Sequence, residues 1–127
     1  MRYLALDVGD RRIGLAVGDD AFGLARPLPT LRRRSVVRDL TALAELARRE
    51  EVAAIVVGLP LTLRGEVGHQ AERVRRFAEA AAAALRLPVE FADERFTSAE
   101  AAARGAPDLD AGAATVLLED FFRARAR

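Results

Sequence analysis

The chain has no cysteine, no lysine and a single histidine, His69. Without cysteine there are no disulfides and no thiolate-bound metals, as suits a reducing compartment. With one histidine, neither a zinc site nor a Ser-His-Asp triad has its usual partners. Any metal chemistry must then use oxygen ligands, which points to Mg²⁺ or Mn²⁺. No stretch approaches the ~18 apolar residues of a membrane span. The start, Met1 to Asp7, turns acidic too soon for a signal peptide, so a cytoplasmic protein is expected. All 20 basic side chains are arginines against 19 acids, a net charge of +1 that does not announce a nucleic-acid binder. Arginine suits bidentate phosphate contacts, but its exclusive use is read as coding bias or heat adaptation.

What is present is a 127-residue chain, 51% hydrophobic, enough for one domain spanning 1–127 with a real core. Tyr3 to Val8 is apolar on both faces, which predicts a central strand. Its alternation puts Tyr3, Ala5 and Asp7 on one side. Gly9 to Arg12 reads as a hairpin turn into a second strand, Ile13 to Val17. A third strand, Leu24 to Leu31, carries Pro27 and Pro29, which remove ladder donors and predict a sheet edge. Ser35 is a candidate N-cap for a helix whose inner face is Val36, Val37, Leu40, Leu43, Ala44 and Ala47. Val52 to Val57 reads as a buried parallel strand, Gly58 to Gly65 as a loop, and Gly68 to Leu87 as a helix stopped by Pro88. That helix turns Ala71, Val74, Ala78, Ala81 and Leu85 inward. Val89 to Ala92 is a short fifth strand. Thr97 and Glu100 have capping-box spacing for a further helix. A last helix runs from Asp110 to Phe122, with Ala113, Ala114, Leu117, Leu118, Phe121 and Phe122 on one face.

This order predicts an α/β fold with a five-stranded mixed sheet flanked by helices. Right-handed crossovers make the first, fourth and fifth strands end at one edge, where ligand sites of open α/β sheets lie. Asp7, the loop after Gly58, and Asp93-Glu94 are therefore expected as neighbours, with the last helix packing across them. Asp110 is either an N-cap or a carboxylate aimed at that edge. Three converging acids suit two-metal phosphodiester hydrolysis and also explain how buried carboxylates stay ionised. The turn Asp7 to Gly14 is either a hairpin whose glycines take positive φ or a phosphate-receiving loop aided by Arg11 and Arg12. Arg32 to Arg34 read as a solvated loop or a phosphate-touching patch.

Four stretches occur in order: Leu6 to Ala16 (LDVGDRRIGLA), Val57 to Gly65 (VGLPLTLRG), Asp93 to Ser98 (DERFTS) and Asp110 to Leu118 (DAGAATVLL). Together they resemble the motifs of the YqgF family, also known as the Holliday-junction-resolvase-like or pre-16S rRNA nuclease family, over essentially the whole chain. The resemblance implies a ribonuclease-H-like fold and a metal-dependent phosphodiester hydrolase that matures the 5′ end of pre-16S ribosomal RNA. Branched-DNA cleavage is the alternative. It also implies catalytic acids Asp7, Glu94 and Asp110 holding Mg²⁺ or Mn²⁺, with Asp93 a second candidate beside Glu94. Gly9, Gly14 and Arg12 match the family's turn and Gly58, Pro60 and Gly65 its loop, which implies substrate contacts there. Arg11, Thr62, Arg64 and Arg95, in the loops at or near the same edge, are further expected contacts. The chain departs from the family pattern at Asp10, where threonine is usual, and at Thr62, where asparagine is usual. It also lacks the basic stretch common before the last acid. Two rivals are a non-catalytic ribosome-assembly module on the same fold and a sugar-kinase or actin-like ATPase. The latter needs a second nucleotide-closing domain for which this chain has no length.

Overall fold

A computed structural model describes residues 1–61, 64–93 and 109–126. Within them the elements are β1 (Arg2–Val8), β2 (Arg12–Asp19), β3 (Leu24–Arg32), α1 (Val36–Arg49), β4 (Ala54–Leu59), α2 (His69–Leu85), β5 (Val89–Asp93) and α3 (Leu109–Arg125). The sheet order is β3-β2-β1-β4-β5. β1 to β3 form an antiparallel meander, while β4 runs parallel to β1 and β5 parallel to β4. The proline-bearing strand is at the edge and Tyr3 to Val8 is interior, as expected. The capping-box helix expected from Thr97 lies outside the described residues.

Strand alternation sorts the core into two layers. Leu4, Leu6, Ile13, Leu15, Ile55 and Val57 pack against Leu43 of α1 and Val74 and Phe77 of α2. On the other face Tyr3, Ala5, Ala16, Ala54 and Val56 receive Ala114, Leu118 and Phe122 of α3. The small strand residues on this second face let α3 settle close to the sheet. Tyr3 fills the remaining space, its ring edge-on to Phe121 and Phe122 with centroids 5.4 and 5.7 Å away. Glu119, also buried, accepts the Ala25 N–H at 3.2 Å and ties α3 to β3.

Several boundaries differ from expectation for identifiable reasons. β4 begins at Ala54, not Val52, because Val52 belongs to the end of α1. There Glu51 adopts φ 56°, its N–H donates to Arg48 O and the Val52 N–H to Ala47 O, each at 3.1 Å. That is a Schellman termination. Gly58 and Leu59 extend β4 into the expected loop, and Gly58 pairs with Ala92. α2 ends at Leu85, where Arg86 turns left-handed at φ 57°.

Ser35 caps α1 as predicted, accepting the Arg38 N–H at 3.2 Å. Val36 and Val37, however, are exposed, and the buried first-turn residue is Asp39. Its carboxylate accepts from Arg33 Nε at 3.2 Å and from the Arg34 N–H at 3.0 Å. Those bonds offset desolvation and let a charge take a place the apolar pattern had given to valine. α3 is buried on every side from Ala111 to Glu119 rather than along one stripe, with Ala113 and Val116 in a separate small cluster.

Candidate metal and nucleic-acid site

Asp7 occupies the carboxyl end of β1, half-buried, on the α3 side of the sheet with Tyr3 and Ala5. Its cross-strand partner is Gly14. A Cβ built on Gly14 would stand 2.0 Å from the Asp110 carbonyl oxygen and 3.1 Å from its Cα. The start of α3 therefore rests directly on the residue paired with Asp7. This contact sets the backbone of Asp110 against the cross-strand partner of Asp7 and so brings two positions 103 apart in sequence to the same end of the β1–β2 pair. Gly9 and Gly14 are not among the positive-φ glycines, which are Gly23 and Gly65 among the described residues. The expected hairpin forms, but Gly14 is required in it for close approach and not for a left-handed turn, a correction to the positive-φ expectation.

Asp110 sits in the first turn of α3 rather than ahead of it, where the helix dipole favours a negative charge. Arg12 Nε lies 3.0 Å from Asp110 Oδ2. Arg12, expected to meet phosphate, thus also neutralises one of the acids. Arg11 is exposed. The turn itself is closed by Gly9 N–H donating to Arg12 O at 2.8 Å.

The remaining expected residues divide. Gly58 is buried inside β4 and Pro60 is half-buried just beyond it. Arg64 and Gly65 are exposed, with Gly65 at φ 80°. Asp93 ends β5 opposite Leu59. Within β5, Val89 packs with the α1–α2 layer and Ala92 with the α3 layer, so alternation turns Asp93 away from the face that carries Asp7. Glu94, Thr62 and Arg95 lie outside the described residues. Among the described residues no group of three His, Cys, Asp or Glu side chains forms a metal cluster. The donors the fold does bring together, Asp7 and Asp110, are carboxylates, and hard oxygen ligands fit Mg²⁺ or Mn²⁺.

Sequence reasoning missed the brace behind this turn. Arg33 points inward rather than belonging to a solvated run. Its Nε meets Asp39, its Nη1 donates to Gly9 O at 2.9 Å, and its guanidinium lies 4.7 Å above the Phe77 ring. Its backbone N–H also donates to Arg11 O at 2.8 Å. Nothing in the hydrophobic pattern signals this, because Asp39 stands on the apolar face of α1.

Beyond its first turn α3 runs back over the meander to Tyr3 instead of packing, as expected from sequence, across the Gly58 loop and β5, because its apolar residues fill the face of small side chains on β1 and β2. A three-strand meander, two parallel strands and a helix whose first turn meets the acid-bearing edge define a ribonuclease-H-like domain. Solved structures agree. RuvC of T. thermophilus bound to a Holliday junction superposes with TM-score 0.68 at 19% identity, covering 99% of this chain and 96% of that one. Fowlpox virus resolvase does so with TM-score 0.65 at 9% identity, each chain covered completely. At the level of sequence, the family model described as "RuvX: Holliday junction resolvase" matches residues 1–124, and the chain belongs to that family. Its relatives include proteins named "Putative pre-16S rRNA nuclease". The one from Chloroflexus aurantiacus is 42% identical over 96% of this chain and 86% of its own length. The one from Anaeromyxobacter sp. strain K is 45% identical over 99% of both. Among the described residues no helix is long and apolar enough to cross a membrane.

Proposed function

We propose that the chain is a divalent-metal-dependent nuclease that hydrolyses phosphodiester bonds in structured RNA, acting in the cytoplasm on the 5′ side of pre-16S ribosomal RNA. The observation that carries the reading is the seating of Asp110 on Gly14, the partner of Asp7. It assembles two carboxylates at the strand edge with no thiol or imidazole to compete for another chemistry. The names of the relatives support the RNA substrate.

Asp7, Asp110 and Glu94 are the residues that would hold Mg²⁺ or Mn²⁺. Such an ion, when bound, would provide the chemistry of water activation and charge stabilisation at the leaving oxygen. Asp93 faces away from Asp7 along β5, so Glu94, the acid that the family resemblance implies, is taken as the third ligand. The protein's own groups do the rest. Asp110, held in the first turn of a buried helix, and Asp7, fixed by the β1–β2 ladder, give a rigid acid pair. Arg12, joining the turn to Asp110 and largely exposed, offers a cation to an incoming phosphate. Arg11 and Arg64, both exposed, are placed to neutralise flanking phosphates. Gly9, where a Cβ would stand 2.9 Å from Arg12 O, lets the turn close tightly enough to hold Arg12 beside Asp110.

The test is cleavage by purified protein of an RNA carrying the 5′ flank of 16S rRNA, run beside a four-way DNA junction. Cleavage of the RNA that needs Mg²⁺ or Mn²⁺ and disappears in Asp7→Asn is the expected result. Cleavage of the junction alone would make branched DNA the substrate. Activity unchanged in Asp7→Asn would overturn the site, and metal-independent binding without cleavage would favour the assembly-module rival.

A further inference from the structure

On the face of the sheet opposite α3, a cleft of about 570 Å³ runs from the Gly9–Asp10 turn between the start of α1 and the flank of α2. Its floor is Val8 and Phe77, and four arginines line it: Arg33, Arg34, Arg73 and Arg76. The acids along it are Asp10 and Asp39. Asp39 is buried and neutralised by Arg33. Arg76 shares Glu72, 3.5 Å away. Arg34 and Arg73 are exposed and make no ion pair with any described residue. The cleft therefore has a surplus of positive charge in a protein that carries a net +1 overall.

Its position matters as much as its charge. Val8 and Gly9 line the cleft, and Asp7, one residue before them, faces the other side of the same strand end. Gly9, its N–H donating to Arg12 O and its carbonyl accepting from Arg33, joins the two along the chain. A chain of phosphates lying at Asp7 needs only to cross Gly9 to enter the cleft. Resting on the nuclease reading, we infer that this cleft is a second subsite that grips the sugar-phosphate backbone of the substrate strand flanking the cleaved bond. Arg34 and Arg73 are its principal contacts. It supplies phosphate neutralisation that the missing basic stretch before Asp110 does not. Asp10, at the mouth, opposes the strand and sets how tightly it is held.

Binding of a fluorescent single-stranded RNA to Asp7→Asn protein, followed by anisotropy across a salt series, tests this. Arg34→Ala and Arg73→Ala should each weaken binding and reduce the log–log salt slope by about 0.7, the value for one phosphate contact on a single strand. Asp10→Thr should tighten binding. Arg48→Ala, at the far end of α1, is the control and should change neither affinity nor slope. In Asp7-containing protein, Arg34→Ala and Arg73→Ala should raise KM for a long RNA while leaving kcat within about two-fold. Cleft variants that behave like Arg48→Ala, while Arg12→Ala still weakens binding, would overturn the cleft and leave the nuclease reading standing. If Asp7→Asn protein binds no RNA at any salt, both fall together.

Discussion

Replacing Gly14 by alanine probes the contact that assembles the site. Its backbone does not need positive φ, so alanine is tolerated by the β1–β2 ladder itself. The difficulty is its new methyl, 2.0 Å from the Asp110 carbonyl oxygen and 2.4 Å from the carbonyl carbon, where ordinary contact begins at 3.4 Å. Both are main-chain atoms and cannot rotate away. The first turn of α3 must withdraw by more than an ångström, against a helix buried on all sides. Overpacking of this kind costs about 1–3 kcal/mol, and a displacement of ~1 Å in a catalytic group lowers the rate by about 10²-fold. Urea unfolding should show a lower midpoint at unchanged slope, with cleavage down by about that factor. Gly23→Ala is the comparison. Gly23 has φ 68° with nothing within 4 Å of its added Cβ, so it should lose about 1–2 kcal/mol of stability without loss of cleavage. A Gly14→Ala protein as stable and active as the parent would refute the reasoning that Asp110 is seated by this glycine.

Arg33→Met should destabilise the fold by roughly 3 kcal/mol, because the carboxylate of Asp39 is left buried without its cation; Arg33→Met with Asp39→Leu should recover part of the loss in the same denaturation assay. Burial pushes the Tyr3 phenol above its ordinary value near 10. The unfolded chain therefore gives up this proton first, and the associated stability, complete below pH about 10, is lost as pH rises through the folded value. Unfolding curves across that range should show the decline in the parent and a smaller one in Tyr3→Phe. Arg12→Ala frees Asp110 from an exposed ion pair worth about 0.2–1 kcal/mol. Calorimetry should find Mn²⁺ bound up to about five-fold more tightly, while RNA binding weakens.

Much of the architecture could be read from the sequence because strand periodicity and turn chemistry act locally. Tyr3 to Val8, apolar on both faces, could only be interior. The prolines of β3 placed it at an edge, and Ser35 announced its helix. Features made by contacts distant in sequence were not legible. The burial of Asp39 depends on a guanidinium six residues earlier meeting a phenylalanine of α2. Gly14 looked like turn chemistry because nothing local reveals that Asp110 will lie against it. The pairing of Arg12 with Asp110 was hidden for the same reason. The choice between Asp93 and Glu94 could not be made from composition. The register of β5 decides how Asp93 faces, and that register exists only once Val89 and Ala92 have found opposite layers.

The central claim is that Asp7 and Asp110 share a divalent ion. Crystals soaked in Mn²⁺, with data collected at a wavelength where manganese scatters anomalously, test it most directly. The account predicts an anomalous peak within about 2–2.5 Å of carboxylate oxygens of both residues, with Arg12 withdrawn from Asp110 and the peak lost in Asp7→Asn crystals. Manganese bound elsewhere, with Asp110 still paired to Arg12, would contradict it.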